Sequence, residues 1–137
     1  MNLLELSVVA KNTAKKAGKF LLTQKSEEKL ITSEKGRDIK LELDRKTEEL
    51  IRKELAVTKI QVQGEEIVSK IDQKLRWVVD PIDGTANYFR GLNQCCVSIA
   101  LMNEHECQIG VIYDFNSDEC YEAIKLSLIH ISEPTRR

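Results

Sequence analysis

The chain has 137 residues, 42% apolar and 31% charged, with 21 basic and 22 acidic side chains and a formal net charge of −1. That length and composition describe one soluble globular domain with enough apolar material for a core of its own. Balanced charge excludes a global field for nucleic acid or an anionic membrane, and without an 18-residue apolar run there is no membrane span.

The N-terminus, Met1-Asn2-Leu3-Leu4-Glu5, lacks the basic region and apolar core of a secretory signal. Leu3, Leu6, Ala10, Ala14, Ala17 and Leu21 recur every three or four residues and predict an amphipathic first helix. Lys11, Lys15 and Lys19 lie off that stripe and read as solvated surface. Residues 24–37 are polar, contain Gly36 and read as a loop; its Lys29, Lys35 and Arg37 offer positive charge to an anionic substrate. Ile39, Leu41 and Leu43 alternate with polar residues and suggest a short extended segment. Asp44 then serves as N-cap of a second helix running through Leu55. Glu48 with Arg52, and Glu49 with Lys53, are i,i+4 pairs of favourable orientation.

Ile60-Gln61-Val62-Gln63 alternates as a half-buried strand and ends at Gly64-Glu65-Glu66. Leu75-Arg76-Trp77-Val78-Val79 is a second strand, ending at a turn, Asp80-Pro81-Ile82-Asp83-Gly84-Thr85. If the two strands are neighbours ending at one edge, Glu65, Asp80 and Asp83 come together. Carboxylates three apart, stiffened by Pro81, are suitable hard ligands for Mg²⁺. Gly84 lets the backbone approach a ligand, and the Gly84 and Thr85 amides can receive phosphate oxygens. Beyond the motif, Cys95–Leu101, Cys107–Tyr113 and Glu119–Ile124 are three apolar runs joined by short polar turns, an antiparallel meander. Helices first and strands after give an α+β layered domain: two N-terminal helices followed by a mainly antiparallel sheet. Cys95, Cys96, Cys107 and Cys120 form no Cys-x-x-Cys pair, so they read as buried thiols in a reducing cytoplasm rather than zinc ligands.

Gly64-Glu65-Glu66, Trp77-Val78-Val79-Asp80-Pro81-Ile82-Asp83-Gly84-Thr85-Ala86-Asn87-Tyr88 and Val97-Ser98-Ile99-Ala100 together resemble the inositol monophosphatase family. The resemblance runs from about Leu3 to Lys125. It implies the layered sugar-phosphatase fold and an Mg²⁺-dependent, lithium-sensitive phosphate-monoester hydrolase. Glu65, Asp80, the Ile82 carbonyl and Asp83 are then metal ligands. Glu65, Thr85 and Asp44 are the catalytic group: Thr85 assists the attacking water, and Asp44 lies close to the metal site. Asp83, Gly84 and Thr85 contact the substrate phosphate. A small-molecule phosphate monoester is the implied partner, and a homodimer the implied assembly. Inositol monophosphate is the first substrate; fructose bisphosphate and phosphorylated adenosine nucleotides are its rivals within the superfamily, and a non-catalytic binding module or inert fragment is the rival from another class. Ala86 and Asn93 depart from the family's usual Thr and Pro. The family places a further metal-binding Asp, in a Trp-Asp motif, and most substrate-ring contacts in a second half; the single Trp here is Trp77, within the first half. Residues 1–125 are therefore expected to form the N-terminal unit of such a protein, inactive by itself. Residues 126–137 break the pattern, resemble translated sequencing-library adapter and are expected to be a non-native tail.

Overall fold

A computed structural model describes residues 1–26, 33–67, 70–125 and 135–136, with the side chains of 25, 26, 33–41, 135 and 136 left undescribed. Helices α1 (Leu3–Ser26) and α2 (Ser33–Leu55) come first. A 3₁₀ turn (Ala56–Thr58) leads into β1 (Gln61–Gln63) and β2 (Leu75–Asp83). The short helix α3 (Thr85–Phe89) precedes β3 (Cys96–Asn103), β4 (Glu106–Asp114) and β5 (Glu119–Ile124). A two-residue strand, β6 (Thr135–Arg136), pairs with β5. The sheet order is β1-β2-β3-β4-β5-β6, with β1 parallel to β2 and every other pair antiparallel. This is the expected helix-plus-sheet layering, with the meander β3-β4-β5 in place.

Strand alternation builds the core. Trp77 and Val79 on β2, Val97, Ile99 and Leu101 on β3, and Ile109, Val111 and Tyr113 on β4 are buried together with the alanine-rich stripe of α1. The Trp77 indole N–H donates to the Thr58 hydroxyl at 3.0 Å, and Thr58 donates to the Leu55 carbonyl at 2.7 Å. Those two bonds tie β2 to the end of α2. The Tyr88 hydroxyl donates to the Leu21 carbonyl at 2.7 Å, tying α3 to α1. No helix among the described residues is long and apolar enough to cross a membrane.

The structure corrects several local expectations. Residues 24–37 are not one loop, since α1 reaches Ser26 and α2 starts at Ser33; Lys29 and the side chains of Lys35 and Arg37 lie outside the described residues. The alternation of Ile39, Leu41 and Leu43 is not a strand. The same stretch continues at four-residue spacing through Leu43, Thr47, Ile51 and Leu55, all buried, so the helical period prevails. Asp44 is consequently not an N-cap but a buried residue in mid-helix. Lys11 is not free surface: it pairs at 3.2 Å with Glu122, buried on β5. Glu49 pairs with Arg45 at 3.5 Å. Cys95 and Cys120 are buried as expected, but Cys96 is half-buried and Cys107 exposed. An irregularity between Leu101 and Met102 shifts the β3–β4 register where Cys107 pairs with Met102.

Candidate metal and phosphate site

β1 and β2 run parallel, with Gln63 opposite Val78, so both finish at one edge of the sheet. Gly64-Glu65-Glu66 leaves β1 there, and Asp80 to Asp83 ends β2 beside it. The expected turn is in fact strand. Asp80 pairs with Ser98 and Asp83 with Cys96, so β2 carries one more residue than β3 across this step, a β-bulge. The bulge is where a strand tolerates Pro81, which has no N–H for the ladder. It also sends the two aspartates different ways. Asp80 and Glu65 line a cavity of about 330 Å³ with Gly64, Ser98 and Ala100. Asp83 lines a neighbouring one of about 660 Å³ with Gly84, Asn87, Cys96, Asp114 and Tyr121.

The carboxylates feel one another across this edge. The Asp80 carboxyl is pushed up to about 6, first by burial, then by the charges of Glu65 and Asp83; the Ile82 amide donates to it and works the other way. Burial, then Glu65 and Glu48, raises Glu66. The Cys96 thiol, 3.8 Å from an Asp83 oxygen, is pushed up to about 12 by burial and then by that carboxylate, so it stays protonated. Among the described residues no Lys, Arg or His pairs with Glu65, Glu66, Asp80 or Asp83. Among the described residues no three His, Cys, Asp or Glu side chains stand close enough, as they lie here, to hold a metal ion together. An uncompensated group of hard oxygen donors fits a divalent cation, whose charge removes the mutual repulsion.

Gly84 follows with φ of 88° and opens α3. The Thr85 hydroxyl donates to the Ile82 carbonyl at 2.8 Å, which commits its proton and leaves its lone pairs to receive a water. The structure thus brings Glu65, Asp80, Ile82, Asp83, Gly84 and Thr85 to one edge of the sheet, but it sets Asp83 and Gly84 in a different cavity from Glu65 and Asp80. Asp44 lies one helical turn before Glu48, on the face of α2 that meets the Glu65 loop through Glu48.

Glu48 is a residue whose further role sequence reasoning missed. It does pair with Arg52, at 3.0 Å, but it is fully buried. Its oxygens accept the Glu66 amide at 2.8 Å and the Ile67 amide at 3.0 Å. Two signals were present: Glu48 adjoins Thr47 and Ile51 of the buried stripe, and a glycine precedes Glu65-Glu66.

Similar sequences and folds are found among known proteins. The model of the inositol monophosphatase family matches residues 2–133. The Nus factor SuhB of Xylella fastidiosa is 38% identical over 114 residues, covering 80% of this chain and 42% of that protein. The inositol-1-monophosphatase of Rhizobium meliloti is 37% identical over 115 residues, covering 79% and 43%. Among solved structures, inositol monophosphatase II of Staphylococcus aureus superposes with a TM-score of 0.76 at 28% identity, covering 96% of this chain and 51% of that one. The chain belongs to the inositol monophosphatase family. It spans about half the length of the curated relatives it matches.

Proposed function

We propose that the chain is the metal- and phosphate-binding half of an Mg²⁺-dependent phosphate-monoester hydrolase acting on inositol monophosphate or a related sugar phosphate. The observation that carries this reading is the crowding of Asp80 by Glu65 and Asp83 at the common end of β1 and β2, with no cation of the described residues to offset it. Mg²⁺ there would supply positive charge to the phosphate oxygens and acidify the attacking water. Glu65, Asp80, Asp83 and the Ile82 carbonyl would hold it. Thr85, its proton engaged by Ile82, would accept a hydrogen bond from that water and orient it in line with the leaving oxygen. The Gly84 and Thr85 amides would receive the phosphate, and Asp44 would act behind the loop. Lithium sensitivity and a homodimer belong to the same proposal and rest on family membership; a cytoplasmic location belongs to it too and rests on the cysteine pattern.

Phosphate release from inositol monophosphate tests it, with and without Mg²⁺ and with lithium added. The 137-residue chain is expected to show negligible turnover, because a further ligand and the ring contacts lie in the family's second half. A chain continued with a family-typical second half is expected to hydrolyse the ester with Mg²⁺. Robust turnover by the short chain would refute its incompleteness. No turnover by the longer chain on any sugar phosphate would refute the hydrolase reading. A second reading, a non-catalytic binding module, is supported by a relative named as a Nus factor.

Residues 126–137 are proposed to lie outside the functional unit, against the family model's match, which runs on to residue 133. Among the described residues their pairing is two positions, Thr135 with Glu122 and Arg136 with Tyr121. Deleting them is expected to leave the melting temperature unchanged or higher. A fall of several degrees would show that they belong to the fold.

A further inference from the structure

The Glu48–Arg52 pair grips the chain on the far side of Glu65 from Gly64. Glu48 Oε1 accepts the Glu66 N–H at 2.8 Å, and Oε2 accepts the Ile67 N–H at 3.0 Å and the Arg52 Nε–H at 3.0 Å. Arg52 Nη2 donates to the Ile67 carbonyl at 3.1 Å. On the near side, a Cβ on Gly64 would lie 2.3 Å from the Glu48 carboxyl carbon, so that carboxylate occupies the space a side chain would need. Residues 65–67 belong to no helix or strand. Their backbone is fixed between a glycine seated against Glu48 and two amides bound to it, while the Glu65 side chain remains exposed toward the cavity it shares with Asp80.

We propose that Glu48 and Arg52 are positioning residues for the metal site: this buried pair holds the backbone around Glu65 so that its carboxylate meets Asp80 and Asp83 when a cation binds. The inference rests on the metal reading of the sheet edge given above. Neither residue touches the cation in this arrangement. Both act through the backbone on which Glu65 is mounted, and preorganised ligands bind more tightly because less chain must be ordered on binding. A surface pair on an exposed helix face would do nothing of the kind.

The test measures Mn²⁺ binding to the full chain by the loss of the free-ion EPR signal, with Mg²⁺ as competitor. Amide hydrogen exchange without metal and the melting temperature are read alongside. Glu48→Gln keeps the shape but presents an NH₂ group where N–H donors now point, so at least one grip is lost. It is expected to weaken Mn²⁺ binding by about tenfold or more, the range typical of groups that orient a ligand. Exchange at Glu66 and Ile67 is expected to quicken, with β2 and β3 unchanged. Arg52→Lys keeps the charge beside Glu48 but does not span to the Ile67 carbonyl, and is expected to show the same pattern more weakly. If Glu48→Gln does not fold, Arg52→Lys decides: weaker Mn²⁺ binding with quicker local exchange supports the inference, and no change in either overturns it. A wild-type chain that binds Mn²⁺, is weakened by Glu65→Gln, and is unaffected by changes at 48 and 52 overturns the positioning role and leaves the metal reading standing. A folded wild-type chain that binds no Mn²⁺ overturns the metal reading and the positioning role together. A purely structural pair would lower the melting temperature and quicken exchange throughout the sheet, with the affinity of the folded fraction unchanged; that pattern also overturns the proposal.

Discussion

Replacing Asp80 by Asn is expected to stabilise the metal-free protein at neutral pH and to abolish its response to Mg²⁺. The wild-type carboxyl is raised from its ordinary 3.8 to about 6 by burial and by the neighbouring Glu65 and Asp83. A raised acid favours the fold while protonated. Its contribution is fully present below pH 3.8 and is lost as pH rises through about 6. Near pH 4 the variant should therefore match the wild type, and near pH 7.5 it should be more stable. The shift alone corresponds to about 3 kcal/mol. Asp80 is partly open to solvent, so screening reduces the expected gain to on the order of 1 kcal/mol, a few degrees in melting temperature. Asn keeps an acceptor for the Ile82 amide but removes a proposed hard anionic ligand. Loss of Mg²⁺ affinity should exceed the roughly 10–100-fold typical of groups that merely orient a ligand. Thermal melts at both pH values, with and without Mg²⁺, check both halves. A variant less stable than wild type at pH 7.5 would show that Asp80 is satisfied by the fold and does not await a cation.

Gly84→Ala is expected to cost stability, on the order of 2–4 kcal/mol, and to disturb the proposed phosphate end of the site. An L-residue at φ of 88° sits in the left-handed region, which costs roughly 1–2 kcal/mol. The new Cβ would also stand 2.5 Å from the Gln94 carbonyl oxygen. That oxygen does not retreat freely, because the Asn87 side-chain amide donates to it at 2.9 Å. The strain must move Asp83 or Thr85, the residues on either side. Gly91→Ala is the control. Its φ is 76°, but nothing lies within 4 Å of an added Cβ, so only the conformational cost applies, about 1–2 kcal/mol. Urea denaturation of the two variants separates the steric term from the backbone term. Equal losses at both positions would show that the approach of Gln94 to Gly84 is not tight.

Much of this architecture was legible because its signals are local. The three- and four-residue spacing from Leu3 to Leu21 marked α1, alternation marked β1, and apolar runs marked β2 to β5. Turn chemistry between the apolar runs gave the meander. The carboxylate-rich motif announced itself because Asp, Pro, Ile, Asp, Gly and Thr in that order suit few purposes. The condition that β1 and β2 are neighbours ending at one edge is met by their parallel pairing, which no local signal specifies. Local pattern failed where two periods overlap. Ile39, Leu41 and Leu43 satisfy a strand's alternation, yet the run that follows satisfies a helix, and burial of Leu43, Thr47, Ile51 and Leu55 against the rest of the fold selects the helix.

The sequence by itself determined which side chains could bind a hard cation and near which strand ends they would fall. Composition, spacing and the geometry of proline and glycine are properties of neighbours along the chain. Only the tertiary structure decided what surrounds them. The bulge that separates Asp80 from Asp83 exists because β3 pairs with β2 on both sides of Pro81. The crowding that raises Asp80 needs Glu65 brought from a different strand. Glu48 reads as one more helical charge until α2 packs against the end of β1. There, burial turns a surface ion pair into the support of a loop, since a buried carboxylate must find donors and the nearest are the amides beside Glu65.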